Sequence, residues 1–153
     1  AAVIQHVRHK QIFISAAAVA DYRPKSAGTQ KLKKHDAEMS IELERTEDIL
    51  SAVAGGKPRP FVVGFAAETE HLDSNARSKL TNKSLDMIAA NLVGKDASGQ
   101  DIGFNSEYNA LQVYWADGDQ RLEQARKTTL ARELITLIAH RYHKNRQHEK
   151  NTA

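Results

Sequence analysis

Ile12-Phe-Ile-Ser-Ala-Ala-Ala-Val19 is the stretch on which the fold prediction rests. It is apolar nearly throughout, which is typical of a strand that is buried on both faces of a sheet. Residues 61–65 and 85–90 have the same character further along the chain. Two more strands are predicted over 39–44, where apolar and polar residues alternate, and over 109–115.

Helical patterns lie between these strands. Residues 1–9 have the character of the end of a helix, and Thr46 is a candidate N-cap for a short helix that stops at Gly55-Gly56. Longer helices are predicted over 72–83 and from Thr128 to about Tyr142, where apolar residues recur on one face. This alternation predicts an α/β domain with a mainly parallel sheet, in which ligands bind beyond the carboxyl ends of the strands.

Three segments are predicted to lack regular structure. Residues 93–105 are rich in Gly, Asp and Ser and are predicted to form a loop, and residues 117–119 a turn. Residues 145–153 are polar and predicted to form a disordered tail, which leaves residues 1–144 as the domain.

The composition excludes several classes of protein. The chain has 153 residues, of which 41% are hydrophobic and 27% charged, as expected for one globular domain. It has no cysteine, which excludes disulfides, thiolate metal sites and a cysteine nucleophile. No apolar run approaches the roughly 18 residues of a membrane span, so a cytoplasmic location is the default expectation.

Positive charge is concentrated in one predicted loop. Five basic residues and no acidic residue occur between Arg23 and Lys34. Such a segment favours phosphate if it folds over a site, whereas a solvated surface loop is the alternative. His140 and His143 are three residues apart on a helix, but without a nearby acid or cysteine they are interpreted as solvated side chains rather than metal ligands.

Several short motifs follow one another in a fixed order. Ser15-Ala-Ala-Ala-Val-Ala-Asp-Tyr-Arg-Pro24 precedes Lys31-Leu-Lys-Lys34, and Thr46-Glu-Asp-Ile-Leu50 comes next. Val63-Gly-Phe-Ala-Ala-Glu-Thr69 then precedes Ala76-Arg-Ser-Lys-Leu-Thr-Asn-Lys-Ser-Leu-Asp-Met-Ile-Ala-Ala-Asn91. In this order and spacing the chain resembles, over residues 1 to about 143, the bacterial phosphopantothenate–cysteine ligases. These form the C-terminal half of the bifunctional coenzyme A biosynthesis proteins.

The resemblance implies an activity. It implies CTP-dependent ligation of 4′-phosphopantothenate with L-cysteine through an acyl-cytidylate, giving phosphopantothenoylcysteine. Mg²⁺ would enter with CTP, and FMN would belong only to the decarboxylase domain that is usually fused upstream. It further implies a Rossmann-like sheet with an additional antiparallel strand element for dimerisation, a homodimer, and neither nucleic acid nor membrane as a partner. Either the strand at 39–44 or the strand near Tyr114 would join the two copies.

The resemblance also implies which residues form the site. Lys31, the first lysine of its motif, is implied to be catalytic and to act on the intermediate or the phosphates. Asp21 is implied to be a nucleotide ligand, to the ribose or through the metal, and no other metal ligand is assigned. The other implied nucleotide contacts are Ser15, Ala16, Ala17, Ala18, Glu47, Asp48, Ile49, Leu50, Phe65, Lys79 and Lys83.

Each implied contact also has a purely structural interpretation. Residues 15–18 can be plain core strand, residues 47–50 plain helix capping, and Phe65 core packing. Lys79 and Lys83 can be solvated residues on one helix face, since they lie four residues apart.

The chain departs from the family pattern at one place, and three alternatives to the CTP-using ligase remain. Members of the family begin with a strand, a glycine-containing turn and an asparagine that are not present before Ala1, so an N-terminally truncated domain with little activity of its own is expected. An ATP-using ligase of the same family is one alternative. The others are a basic module that binds nucleic acid or nucleotide without catalysis, and a dimerisation fragment.

Overall fold

The computed structural model of the chain describes residues 2–26, 40–95, 101–102 and 106–152. Thirteen helices and strands are formed within these residues. In chain order they are α1 (Ala2–Val7), β1 (Ile12–Ser15), β2 (Tyr22–Pro24), β3 (Leu43–Arg45), α2 (Ile49–Ala54), β4 (Phe61–Glu68), α3 (Leu72–Asn82), β5 (Met87–Leu92), β6 (Gly94–Lys95), β7 (Asp101–Ile102), β8 (Tyr108–Trp115), β9 (Gly118–Arg126) and α4 (Lys127–Thr152).

The main sheet has five strands in the order β1-β4-β5-β8-β9. β1 pairs parallel with β4 and β4 parallel with β5, while β8 and β9 form an antiparallel hairpin on the far side of β5. The predicted α/β class with a mainly parallel sheet flanked by helices is confirmed. The parallel part is the part that positions a site, since all three of its strands end at the same edge.

Helices cover both faces of this sheet, each over a separate apolar cluster. On one face, α4 packs through Leu130, Leu134, Leu137 and Ile138 against strand residues that include Val63 and Val113. On the other face, α1, α2 and α3 pack against strand residues that include Val62 and Ile88. The odd-numbered residues of β4 pack into the first cluster and the even-numbered residues into the second, because side chains alternate between the two faces along a strand.

A cation–aromatic contact ties α4 to the β8–β9 hairpin. The guanidinium of Arg141 lies 4.5 Å from the centre of the Trp115 ring and donates a hydrogen bond of 2.7 Å to Asp117 in the hairpin turn. The Arg141 side chain is nearly buried by these contacts. The long helix is therefore held at the hairpin end of the sheet as well as through its leucine stripe.

Two predicted boundaries near the first strand are wrong. β1 ends at Ser15 rather than Val19, because the exposed residues 16–20 leave the sheet to reach Thr46, whose hydroxyl donates to the Ala20 carbonyl. Because its hydroxyl is bonded to Ala20, Thr46 is not the helix N-cap. That position is taken by Asp48, whose side chain accepts from the Ser51 N–H.

A small antiparallel sheet joins a strand in the predicted basic loop to the end of the strand predicted over 39–44. β2 pairs with β3, which begins only at Leu43 and ends at Arg45. Residues 40–42 of the strand predicted over 39–44 are therefore not in a strand, and residue 39 lies outside the described residues. Pro24 is tolerated because this ribbon has only two strands, and a proline can occupy an edge position that needs no N–H. Tyr22 and Leu43 remain exposed on this ribbon. It supplies the predicted additional antiparallel element, and its predicted role in dimerisation stays a prediction.

The second half of the chain has more regular structure than predicted. In the predicted loop over 93–105, β6 pairs with β7, and residues 96–100 and 103–105 lie outside the described residues. The predicted turn at 117–119 is wrong by one residue, since Trp115 pairs with Gly118 and β9 starts there. The predicted tail is helical through Thr152, because its Lys, Arg, Gln and Glu residues favour helix and it contains no Gly or Pro. In the part of the chain that is described, no helix has the combined length and apolar character needed to cross a membrane.

Candidate functional site

A step in the sheet marks the carboxyl end of the parallel strands. β1 pairs with β4 only as far as Ser15 and Gly64, whereas β4 continues to Glu68 beside β5. Beyond Ser15 the chain turns away with exposed alanines. The implied contacts Ser15, Ala16, Ala17 and Ala18 therefore lie at this step, where small side chains leave the main chain open to a ligand.

Gly64 brings the start of α2 onto the sheet. A Cβ atom at this glycine would lie 3.2 Å from Cδ2 of Leu50 and 2.8 Å from Cδ1 of Leu85. Only glycine leaves room for both leucines, so they pack directly over the β4 backbone. This places the 47–50 segment beside the step formed by β1 and β4.

The segment that contains Asp21 joins the same place. The Thr46 N–H donates 2.9 Å to the Asp21 carbonyl, and the Thr46 hydroxyl donates 2.5 Å to the Ala20 carbonyl. Immediately beyond these bonds, Tyr22 pairs with Arg45 in the small sheet. Two motifs that are 25 residues apart in sequence are thereby fixed side by side.

Asp48 caps α2 with its carboxylate. Its Oδ1 accepts from the Ser51 N–H at 3.1 Å, and its Oδ2 accepts from the Ser51 hydroxyl at 2.8 Å. Partial burial alone would raise the pKa of Asp48, but the hydrogen bonds from Lys83 and Ser51 outweigh it and lower the pKa to about 2. The Ser51 N–H in the first turn of α2 is thus already bonded to a carboxylate, so helix capping accounts for part of this segment, and nucleotide contact by residues 47–50 stays a prediction.

Lys79 of α3 and Lys83, the residue that caps the C-terminal end of α3, are each held by a carboxylate. Lys83 Nζ lies 2.9 Å from Asp48 Oδ2, and Lys79 Nζ lies 2.5 Å from Glu68 Oε1. Their spacing of four residues puts them on one side of the helix. These ion pairs attach α3 to the start of α2 and to the end of β4, so both ammonium groups lie on the α3 side of the sheet near the implied contacts.

Glu68 is the residue at this site to which the sequence interpretation gave no role. Its second oxygen, Oε2, accepts 3.0 Å from Nδ2 of Asn75 on α3. The Glu68 side chain is only 12% exposed. The sequence signal was that Glu68 belongs to the quoted motif 63–69. Its burial, which requires cationic or hydrogen-bonding partners, is visible only in the structure.

Phe65 lies on the other face of the sheet. As an odd-numbered residue of β4 it shares the face of Phe61 and Val63, which pack under α4. Its side chain is 37% exposed at the end of that face. The structure therefore brings Ser15, Asp48, Lys79 and Lys83 to the α3 side of the edge and leaves Phe65 across the edge from them. The Asp21 backbone is held beside Thr46.

Lys31, the implied catalytic residue, lies outside the described residues. Asp21, implied as a possible metal ligand, is exposed, and its carbonyl is used by Thr46. Within the described ranges no group of three or more His, Cys, Asp or Glu side chains is arranged to hold a metal ion. Coordination of Mg²⁺ by Asp21 therefore stays a prediction.

Comparison with known proteins gives a consistent result. Residues 1–142 match the family described as DNA/pantothenate metabolism flavoprotein C-terminal domain. The chain is 48% identical over 135 residues to the coenzyme A biosynthesis bifunctional protein CoaBC of Haemophilus influenzae, covering 88% of this chain and 32% of that protein. It is 44% identical over 152 residues to the CoaBC protein of Escherichia coli, covering 96% of this chain and 36% of that one. The chain thus spans about a third of the length of these relatives.

Solved structures agree with this similarity. The crystal structure of the C-terminal domain of a coenzyme A biosynthesis bifunctional protein CoaBC superposes with a TM-score of 0.67 at 36% identity, covering 90% of this chain and 57% of that one. The DNA/pantothenate metabolism flavoprotein of Streptococcus pneumoniae superposes with a TM-score of 0.66 at 20% identity, covering 89% and 66%. The second match supports the fold alone.

Proposed function

The chain belongs to the family of DNA/pantothenate metabolism flavoprotein C-terminal domains, and from this we propose that it is the nucleotide-using part of a phosphopantothenate–cysteine ligase of coenzyme A biosynthesis. The names of its relatives support the pathway. The reaction itself is inferred from the motifs and from the arrangement of charge at the carboxyl edge of the sheet.

One observation carries the proposal. Three segments that are far apart in sequence meet at the carboxyl end of the parallel strands: one contains Ser15 and Asp21, one contains Asp48, and one contains the Lys79–Lys83 pair. This is the edge at which open α/β sheets bind their ligands. Two ammonium groups beside a bare main chain are suited to a flexible polyanion such as a triphosphate.

The proposed reaction has two steps. A carboxylate oxygen of 4′-phosphopantothenate attacks the α-phosphorus of CTP, pyrophosphate leaves, and an acyl-cytidylate forms. The amine of cysteine then attacks the acyl carbon, and CMP leaves with the bonding electrons while the amine loses a proton. Neither step needs a protein nucleophile, so the contribution of Lys31, Lys79 and Lys83 is to hold the phosphates and neutralise developing charge. Mg²⁺ bound to CTP would neutralise further charge.

The position of Phe65 suggests how the nucleotide lies. Because Phe65 lies on the opposite face of the sheet from Lys79 and Lys83, one ligand can reach all three only by crossing the edge of the sheet. The step beyond Ser15 provides that passage. We propose that the triphosphate lies on the α3 side and that Phe65 borders the nucleoside.

The proposal extends to assembly and location. A homodimer, a cytoplasmic location and an FMN-dependent decarboxylase domain in the same polypeptide are each expected from the family. The exposed Tyr22 and Leu43 of the small sheet favour an interaction surface there.

Calorimetric titration of CTP with Mg²⁺ tests the binding half of the proposal. We expect saturable binding that is weakened about 10-fold or more in Lys31→Gln, Lys79→Ala and Lys83→Ala, since hydrogen bonds to charged groups contribute about 1.5–3 kcal/mol each. Lys144→Ala, which removes an exposed lysine of α4, is the matched control and should bind like wild type. Equal binding of ATP would favour the ATP-using alternative. Steeply salt-dependent binding of an oligonucleotide in place of CTP would contradict the proposal.

A chimera tests the reaction. In it, this chain replaces the matching 152-residue region of the Escherichia coli relative. The chimera should release pyrophosphate from CTP only when 4′-phosphopantothenate is present, and form phosphopantothenoylcysteine when cysteine is added. The same chimera carrying Lys31→Gln should lose turnover while remaining folded. A folded chimera that binds CTP without any turnover would instead support the non-catalytic alternative.

A further inference from the structure

We propose that Glu68 is a positioning residue, whose carboxylate holds the Lys79 ammonium group in place for the triphosphate. The inference rests on the proposed function, because it assigns Lys79 to the nucleotide. It adds a residue to which neither the motifs nor the family resemblance gives a role.

The Glu68 carboxylate is fixed by two residues of α3 and by its own backbone. Lys79 Nζ lies 2.5 Å from Oε1, and Asn75 Nδ2 donates 3.0 Å to Oε2. The Glu68 carbonyl accepts 2.9 Å from the Val93 N–H, which ties the end of β4 to the residue after β5. With an exposed fraction of 12%, the Glu68 side chain has little freedom to leave this position.

Lys79 is different, because its side chain is 46% exposed. A free lysine at such a position loses about 2 kcal/mol of side-chain entropy when a ligand immobilises it. In this structure the loss occurs before any ligand arrives, because the ammonium group is already held by Glu68. An ammonium group has three N–H donors, and one suffices for Oε1, so two remain for phosphate oxygens.

Stability alone gives a weak reason for this arrangement. A half-exposed ion pair contributes about 0–1 kcal/mol, and a carboxylate beside a triphosphate repels it. The neighbouring Asp73–Arg77 pair shows what a structural pair on the same helix looks like. Arg77 also bonds Asp119 at 2.8 Å and lies over the Tyr114 ring, so that pair locks α3 to the β8–β9 hairpin. Among the described residues, Lys79 has a single carboxylate partner, Glu68 at the carboxyl edge, which leaves its remaining donors for another group.

A double-mutant cycle on MgCTP binding, measured by calorimetry, tests the inference. Glu68→Ala should weaken binding about 5- to 10-fold, because Lys79 is released. In a protein that already carries Lys79→Ala, Glu68→Ala should not weaken MgCTP binding any further, because the lysine through which Glu68 acts is gone. Glu68→Gln keeps an acceptor at the same place without the repelling charge and should restore binding to within about 2-fold of wild type.

Two further measurements separate positioning from folding. The inference places the Lys79 ammonium group against the β- and γ-phosphates, which CMP lacks. The weakening by Glu68→Ala should therefore also appear with inorganic tripolyphosphate and be absent with CMP. Asp73→Ala is the matched control, because it also removes a carboxylate that pairs with a basic residue of α3. It should lower thermal stability and leave the affinity for MgCTP unchanged.

Several binding results would contradict the positioning role of Glu68. It is overturned if Glu68→Ala binds MgCTP like wild type, if its cost is the same with and without Lys79, or if CMP is weakened as much as MgCTP. If wild type binds MgCTP and Lys79→Ala does not weaken it, the assignment of Lys79 fails and the inference fails with it. Failure of wild type to bind either MgCTP or tripolyphosphate overturns the proposed function first and this inference as a consequence.

Discussion

Gly64 shows at the residue scale how a core position controls the edge of the sheet. Its missing side chain lets Leu50 of α2 and Leu85 rest on the β4 backbone. The sequence interpretation used Gly64 only as part of a motif. Its packing role depends on two leucines that are 14 and 21 residues away in sequence, and a reading of local patterns does not bring them together.

Gly64→Ala is expected to destabilise the fold. The new Cβ atom would lie 2.8 Å from Leu85 Cδ1, so leucine side chains must shift, and overpacking of this kind costs about 1–3 kcal/mol. Urea denaturation followed by circular dichroism measures the loss. Gly55→Ala is the control, because its Cβ atom would make only an ordinary contact of 3.4 Å and its stability should change by less than about 1 kcal/mol. Equal stability of both variants would contradict this packing account.

The positions of Lys79 and Lys83 could be predicted from the sequence only in part. Their spacing predicted that both lie on one face of a helix, but α3 ends at Asn82, so Lys79 is helical and Lys83 is the residue that caps the helix. Their partners could not be predicted, because Glu68 and Asp48 meet them only when β4, α2 and α3 are assembled. Lys31 stays a prediction from its motif.

At the element scale, α2 depends on its cap. It has only six residues, too few to form a stable helix alone, so its first turn needs the Asp48 carboxylate and the packing of Leu50. Asp48→Ala should cost about 1 kcal/mol of unfolding free energy, and Asp48→Asn should cost less because asparagine is an equally good N-cap.

The same carboxylate makes part of the stability pH-dependent. Because the pKa of Asp48 is lowered to about 2 from 3.8, its charged form stabilises the fold fully above about pH 4. This contribution is lost as the pH falls through 2, and with the side chain 46% exposed it should amount to less than about 1 kcal/mol. The stability difference between wild type and Asp48→Asn, measured by urea denaturation, should therefore shrink between pH 5 and pH 2. A constant difference over this range would show that the pKa of Asp48 is not lowered.

Elements were predicted well where they are buried and poorly where they are exposed. β4 and β5 were found from their continuous apolar runs. β9 was missed because eight of its nine residues remain at least partly exposed and only Leu122 is buried, so its sequence has little apolar signal. The small sheet of β2 and β3 was missed in part for the same reason, since none of its residues is buried.

At the scale of the whole molecule, α4 is the sole described helix over one face of the sheet. Leu134 is 5% exposed in that interface, whereas the next residue, Ile135, is 53% exposed. Leu134→Ala should lower the unfolding free energy by about 2–5 kcal/mol. Ile135→Ala removes a similar side chain from the exposed side and should change it by less than about 0.5 kcal/mol. Losses of equal size in guanidinium denaturation would mean that α4 does not pack through this stripe.

The contact between Arg141 and Trp115 gives this protein a built-in optical reporter. Trp115 is the only tryptophan of the chain, and a guanidinium lies over its ring only while the last helix is docked on the hairpin. Emission excited at wavelengths longer than the tyrosine absorption band therefore comes from a single indole beside a fixed positive charge. Release of the helix removes that charge, so the wavelength and yield of the emission follow the undocking of one helix without any added dye.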